Sequence, residues 1–382
     1  MNTKSELCVY DFCPLQVSIS KSTLAASLRQ ATIAETQPSH SASASQFFTS
    51  DALYSTCDRC DGCNGHKNDM QTAYFRKVDC DSVLNSIETI TLSNGVKLPI
   101  LGIGTSHSGG YSHTALVFAL KHCKYRLIDT AKRYGCEVLL PQAIKESNVE
   151  REEIFLTTKL WPKDYGYEST KEALKGSLCR LNTDYIDLFL MHWPEVPAQC
   201  SSEKKKLLED TWRALEVMYD EGLCRAIGVS NYDVSDLCEM FESSSIKPHV
   251  NQIEFHPYQN PKSLRNFCDE NGIAVQGYCP LGKGKILTEK PIVEIADQVQ
   301  KSPAQVLIRW AIQNNVSTIP KSTKIHRVFE NSNVFDFCLS ENQMNVLNNL
   351  HDGRRYVDPS SIQKRIDSQL PDGYKLQQSI TH

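Results

Sequence analysis

From Ile87 onward, short apolar runs alternate with longer amphipathic stretches, and this alternation limits the fold more than any other feature of the chain. The apolar runs fall at 101–103, 126–130, 154–159, 185–191, 224–229, 250–254, 273–278 and 316–319. Helical spacing predicts helices at 112–123, 137–147, 169–181, 204–221, 234–242, 261–271 and 303–314. Pro141 should kink the second helix or delay its start. Consecutive strands lie roughly 25–40 residues apart, the spacing of βαβ units. Eight such strands close a barrel, and about 295 residues suit that fold. The predicted fold class is α/β, a (β/α)8 TIM barrel. A doubly wound sheet is the rival, but no Gly-x-Gly-x-x-Gly turn follows a strand. An N-terminal β-hairpin precedes the barrel: ETITLSNGVKLPI alternates around Asn94-Gly95, a type I′ turn signal.

Residues 1–85 read differently. SHSASASQFFTS at 39–50 and TCDRCDGCNGHKND at 56–69 hold no sustained period and favour turns. The expected division is a largely disordered Ser/Cys-rich N-terminal extension, 1–85, and a barrel, 86–382. One short helix is expected near Ser22–Gln30. Cys57, Cys60, Cys63 and His66 could supply soft and imidazole ligands, but structural zinc sites draw separated ligand pairs around an ordered turn. The favoured reading is exposed thiols and no metal.

The net charge of −4 offers no basic face for nucleic acid. No apolar run approaches the roughly 20 residues a bilayer requires. The opening MNTKSELCVYDFCPL lacks the basic-then-apolar form of a secretory signal, so the expected location is cytoplasmic. Of the 15 cysteines, Cys123, Cys179, Cys224, Cys268 and Cys279 sit in predicted buried elements and read as free thiols.

Barrel active sites lie at the C-terminal ends of the strands. That rule selects Asp129, then Tyr134 five residues on, then Lys159, then His192, each at or just past a successive strand end. Singly, each has an ordinary structural reading. Together they bring an acid, a phenol, an amine and an imidazole to one mouth. A phenol is a poor donor near its ordinary pKa of about 10, and a nearby ammonium lowers that value. Lys159 can supply the ammonium and Asp129 can hold it. Tyr134 then serves as general acid toward a carbonyl oxygen, with His192 orienting the substrate. The set contains no nucleophile and no metal, so a reductive step needs hydride from a cofactor.

Eight stretches, in order, resemble the aldo-keto reductase superfamily, and the similarity covers about residues 88–382. They are GIGT at 102–105, DTAKRYG at 129–135, TTKLW at 157–161, MHWP at 191–194, GVSN at 228–231, NQIEFHP at 251–257, GYCPLG at 277–282 and IPKS at 319–322. The resemblance implies a catalytic tetrad of Asp129, Tyr134, Lys159 and His192. It implies NADPH across the barrel mouth, reducing a small-molecule aldehyde or ketone to an alcohol. Ser230, Asn231 and Gln252 match residues that bind the nicotinamide carboxamide, and Tyr278 the aromatic stacked on that ring. Gly104 and Thr105 would lie beside it. Cys279, Leu281, Gly282 and Lys283 match the pyrophosphate loop. Lys321, Ser322, Thr323 and Arg327 match the group around the 2′-phosphate, with Glu330 and Asn331 near the adenine. Two cations, one an arginine fork, suit a dianionic phosphate. Trp161, Trp193 and His192 would line the substrate pocket, and many relatives act as monomers.

Some positions depart from the family. Cys136 stands where Asn is common, and Cys279 where Ser is; a thiol is the weaker hydrogen-bonding group. Ser106 and His107 replace aromatics. The short loop after Tyr278 and the modest C-terminal tail predict an open pocket, as in the family's sugar, keto-acid and small-dicarbonyl reductases. The alternative function is a catalytically silent cofactor-binding module of the same fold, as in potassium-channel β subunits and lens proteins.

Overall fold

The computed structural model describes residues 88–106 and 110–368. The predicted extension, its helix near Ser22–Gln30, its cysteine run and His107 lie outside the described residues. The hairpin is β1 (Thr89–Thr91) and β2 (Lys97–Pro99). Eight parallel strands follow: β3 (Ile103–Gly104), β4 (Leu127–Asp129), β5 (Phe155–Leu160), β6 (Leu188–Met191), β7 (Ile227–Ser230), β8 (Val250–Glu254), β9 (Ala274–Tyr278) and β10 (Ser317–Thr318). Each pairs with the next in sequence. Bonds from Gly102 N to Thr318 O (2.9 Å), Thr318 N to Ile100 O (2.8 Å) and Gly104 N to Pro320 O (3.1 Å) join first strand to last and close the barrel.

Helices α1 (His113–His122), α2 (Leu140–Ser147), α3 (Tyr167–Leu181), α4 (Lys204–Asp220), α5 (Val234–Phe241), α6 (Lys262–Glu270), α7 (Lys290–Val299) and α8 (Pro303–Gln313) connect the strands. Three more follow β10: α9 (Ile325–Ser332), α10 (Glu341–Asn348) and α11 (Ser360–Asp367). The predicted helices stand within about two residues of these, apart from the second. There Pro141 sits in the first turn of α2, after a 3-10 turn over Glu137–Leu139, so the proline delays the helix rather than kinking it. The strands expected from 185 and 224 begin later, at Leu188 and Ile227, preceded by an isolated Ile186–Cys224 bridge.

The hairpin turn is not type I′. Gly95 N bonds Leu92 O and Leu92 N bonds Val96 O, both at 2.9 Å, and Gly95 alone of the turn has positive φ, +85°. This is a type I turn followed by a glycine bulge. Asn94 keeps negative φ because its side chain is spent elsewhere: it accepts from Val96 N and donates to Arg225 O at the barrel floor. Cys224 and Cys268 are buried free thiols as expected, Cys123 and Cys279 are half-buried, and Cys179 is exposed on α3.

The strand period of two sorts the side chains by depth. Leu127, Phe155, Leu188, Leu190, Ala226, Val250 and Ile319 form one buried cluster with Leu92 and Leu98 of the hairpin. These are the inward residues at the barrel's lower end, and the hairpin plugs it. Their intervening neighbours, Ile128, Leu156, Phe189, Ile227 and Ile253, join the larger cluster beneath the helices. Moving up two residues from an inward apolar position reaches Asp129, Thr157 then Lys159, His192, Gln252 or Lys321. One alternation thus fills the floor with apolar groups and the mouth with polar ones.

Gly228 has no room for a side chain: a Cβ would lie 2.4 Å from Val250 O and 2.8 Å from Leu190 Cδ2. Gly228→Ala is expected to lower the unfolding free energy by about 1–3 kcal/mol through overpacking, read from urea denaturation.

Candidate active site

The mouth is organised around Lys159, at the inward fifth position of β5. Its Nζ donates to Asp129 Oδ1 (2.6 Å), Asp129 Oδ2 (2.7 Å) and Thr130 O (3.0 Å), and lies 3.4 Å from Tyr134 OH. Both charged side chains are almost wholly buried, 0% and 4% exposed. Burial pulls the Lys159 ammonium below its usual range, and Asp129 counters that pull. Tyr134 ends a 3-10 turn over Lys132–Tyr134; Gly135, at φ +72°, reverses the chain directly after it.

The acidified phenol expected from the sequence is not what this arrangement produces. Burial pushes the Tyr134 hydroxyl well above its ordinary value, and Asp129 adds to the rise. Burial is the larger cause, and because Lys159 is clamped by both oxygens of Asp129 the phenol faces an ion pair rather than a bare cation. Tyr134 is therefore held protonated.

His192 follows β6. Its ring meets Trp161 edge-on at 5.3 Å between centroids and Tyr134 at 5.9 Å. The four predicted residues thus share one mouth. Gln252 joins them: its Nε2 donates to Asp129 Oδ2 at 2.8 Å. Ser230 Oγ donates to Gln252 O (2.8 Å), Asn231 Nδ2 to His192 O (3.0 Å), and Tyr278 OH to Asn231 Oδ1 (2.7 Å). The carboxamide-binding candidates therefore form one connected edge beside Lys159.

A cleft beyond that edge is lined by Gly104, Thr105, Tyr111, Ser112, Lys321 and Ser322. Gly104 keeps it open: a Cβ there would stand 3.2 Å from Ile319 O and 3.4 Å from Lys321 Cβ. Burial lowers the Lys321 ammonium below its usual range. Arg327 is exposed on α9, Glu330 half-buried and Asn331 buried there, with Thr323 half-buried before the helix. Along 279–284, Cys279, Gly282, Lys283 and Gly284 all take positive φ, which turns the backbone sharply back on itself. Leu281 packs on the core and anchors this loop. Burial pushes the Cys279 thiol up to about 12, so it stays neutral. These donor types fit a phosphorylated dinucleotide.

The family model described as "Aldo/keto reductase family" matches residues 101–352. The chain belongs to the aldo-keto reductase family. An uncharacterised oxidoreductase of Caenorhabditis elegans is 50% identical over 76% of this chain and 89% of its own length. Glyoxal reductase of Bacillus subtilis is 44% identical over 70% of this chain and 94% of its own. Among solved structures, a Bombyx mori aldo-keto reductase in complex with NADP superposes with a TM-score of 0.68 at 30% identity, covering 76% of this chain and 99% of that one.

Several groups at the mouth of this aldo-keto reductase escaped sequence reasoning. Arg133 lays its guanidinium 4.2 Å from the centre of the Trp161 ring, and the pair of basic residues before Tyr134 was the available signal. The expected open pocket is partly covered: Ile362 and Ile366 of α11 form a buried cluster with Trp161 and Trp193. An i, i+4 isoleucine pair was the sign of that contact. The strap leading to α11 is clamped by Glu254, at the end of β8. Its two oxygens accept from the backbone N–H groups of Tyr356 (2.6 Å) and Val357 (3.1 Å), and His256 Nε2 lies 3.2 Å from Oε1.

Removing one partner of a buried ion pair strands the other. Lys159→Met is expected to lower the unfolding free energy by about 3–5 kcal/mol. Adding Asp129→Asn should recover part of it, since no orphan charge remains; chemical denaturation of the single and double variants compares them.

Proposed function

We propose that this aldo-keto reductase reduces aldehydes and ketones to alcohols with NADPH, Tyr134 serving as general acid. The observation that carries the reading is the Asp129–Lys159–Tyr134 cluster, a phenol 3.4 Å from a buried, ion-paired lysine at the mouth of the barrel. Bound NADPH would supply hydride to the carbonyl carbon. Tyr134 and His192 would receive the carbonyl oxygen from two sides, and their hydrogen bonds would strengthen as negative charge gathers there. Tyr134 would then give up its proton to that oxygen. A raised phenol pKa suits this role, because the phenol stays loaded at neutral pH and an alkoxide is more basic still. Lys159 would steady the phenolate left behind, with Asp129 keeping the lysine charged and in place.

The residues that would hold the cofactor are those the family resemblance implies, and their grouping at the mouth supports the reading. Ser230, Asn231 and Gln252 would bind the carboxamide and Tyr278 the ring face. The 279–283 loop would cover the pyrophosphate, with Lys321, Ser322, Thr323 and Arg327 at the 2′-phosphate and Glu330 and Asn331 by the adenine. Trp161 and Trp193, backed by α11, would leave room for small carbonyls. The similarity to a glyoxal reductase supports reactive dicarbonyls as a substrate class.

Tyr134→Phe is expected to cut kcat by about 10²–10⁴-fold, the usual weight of a general acid, with NADPH affinity within about twofold. The check is NADPH consumption with methylglyoxal beside a cofactor-binding titration; an unchanged kcat refutes the assignment. Removing both cations, Lys321→Ala with Arg327→Ala, should weaken NADPH binding about ten- to hundredfold while NADH binding barely moves. Equal loss for both nucleotides would remove the phosphate-site reading.

A further inference from the structure

Three inward side chains on neighbouring strands stand abreast below the mouth. Gln252 of β8 is in register with Gln276 of β9, and Gln276 with Ser317 of β10. All three are buried, Gln276 and Ser317 completely. Ser317 Oγ donates to Pro99 O (2.9 Å), Gln276 Nε2 donates to Ser317 Oγ (3.2 Å), and Gln252 Nε2 donates both to Gln276 Oε1 (2.6 Å) and to Asp129 Oδ2 (2.8 Å).

The direction of every bond in this row is forced from its two ends. A backbone carbonyl and an ionised carboxylate are acceptors only. Pro99 O takes the Ser317 hydroxyl proton, so Ser317 Oγ is left to accept, and the nearest Gln276 atom must be its NH2. The other end of that amide, its oxygen, then faces Gln252. Asp129 independently requires the Gln252 NH2 to face it, and that same nitrogen satisfies Gln276. Flipping Gln252 would set its oxygen against two buried oxygens. Each lost buried hydrogen bond costs about 1–3 kcal/mol, so one orientation holds. Both Gln252 N–H groups are consumed by these bonds. Its Oε1, an acceptor, is what the amide has left for a ligand.

We infer that Gln276 is a positioning residue that, together with Asp129, holds Gln252 as a hydrogen-bond acceptor and so makes the site select an N–H on the nicotinamide 3-substituent. The inference rests on the proposed NADPH role of the site. It differs from a packing role because Gln276 would act on one functional group of the ligand and leave the rest of the dinucleotide alone. Its acceptor also keeps Gln252 turned toward Asp129, tying cofactor recognition to the ion pair under Tyr134.

The test uses full-length wild type, Gln276→Met and Gln276→Glu. Affinities are measured by fluorescence quenching for NADP+ and for its 3-acetylpyridine analogue, in which a methyl group replaces the carboxamide NH2. The readout is the ratio of the two affinities. Gln276→Met removes the acceptor at nearly equal volume and should lower the preference for NADP+ about tenfold, through weaker NADP+ binding. Gln276→Glu, protonated in its buried place, offers the same C=O and a donor hydrogen, and should keep the ratio within about threefold. If Gln276→Met does not fold, Ser317→Ala frees Gln276 to turn and should lower the ratio about threefold. A ratio unchanged in Gln276→Met, or in Ser317→Ala where that stands in for it, overturns the inference, as does a ratio that falls equally in Gln276→Met and Gln276→Glu. Wild type that binds neither nucleotide overturns the NADPH reading itself, and this inference with it.

Discussion

A buried ammonium held by both oxygens of one carboxylate governs the mouth of this barrel. Two charges taken out of water cost several kcal/mol each, and only close, doubly bonded geometry returns that cost. Lys159 and Asp129 meet the requirement because the inward ends of adjacent parallel strands place them side by side. Once that pair is fixed, its neighbours have little freedom. Thr130 must offer its carbonyl, Gln252 must present its NH2, and Tyr134 meets a neutralised partner. The consequence for the phenol runs against simple intuition. A cation within hydrogen-bonding distance does not acidify it when burial disfavours the phenolate and the cation is already paired with a carboxylate.

The same strand alternation that builds the floor builds the site. Successive inward positions carry apolar groups beside the hairpin, polar amides and hydroxyls above them, and ionisable groups at the top. The helix-facing neighbours are mostly apolar and form the larger core, with Thr158 and Asn251 as buried polar exceptions that hydrogen-bond Glu137 and Tyr232 O. Part of the reactive layer is thereby supported from below by the row from Ser317 through Gln276 to Gln252, whose hydrogen bonds are matched.

Most of this was legible in the sequence because it is periodic. Apolar runs of the right spacing gave eight strands, and the strand-end rule picked out Asp129, Lys159 and His192, which do converge. What stayed hidden depends on distances rather than on order. The acceptor-only ends of the Pro99–Asp129 row, the stacking of Arg133 on Trp161 and the reach of α11 back to the tryptophans all join residues far apart in the chain. The turn at Asn94-Gly95 was misjudged for a related reason. Asn-Gly favours a type I′ turn locally, but the Asn94 side chain is needed at Arg225, a residue more than a hundred positions away. The direction of the tyrosine pKa is not legible either, because sequence shows which charges are near but neither how deeply the phenol is buried nor which charges are already paired.

Glu254 grips the C-terminal strap through two main-chain amides, and main-chain amides carry no identity. The grip itself therefore reads no side chain at 356 or 357, and there only proline would break it, although both side chains pack against their neighbours. Relatives with one anchor could carry very different walls over the same tryptophans. Divergence in what enters the pocket is thus decoupled from the strand that holds the reactive layer, and selection can reshape the one without disturbing the other.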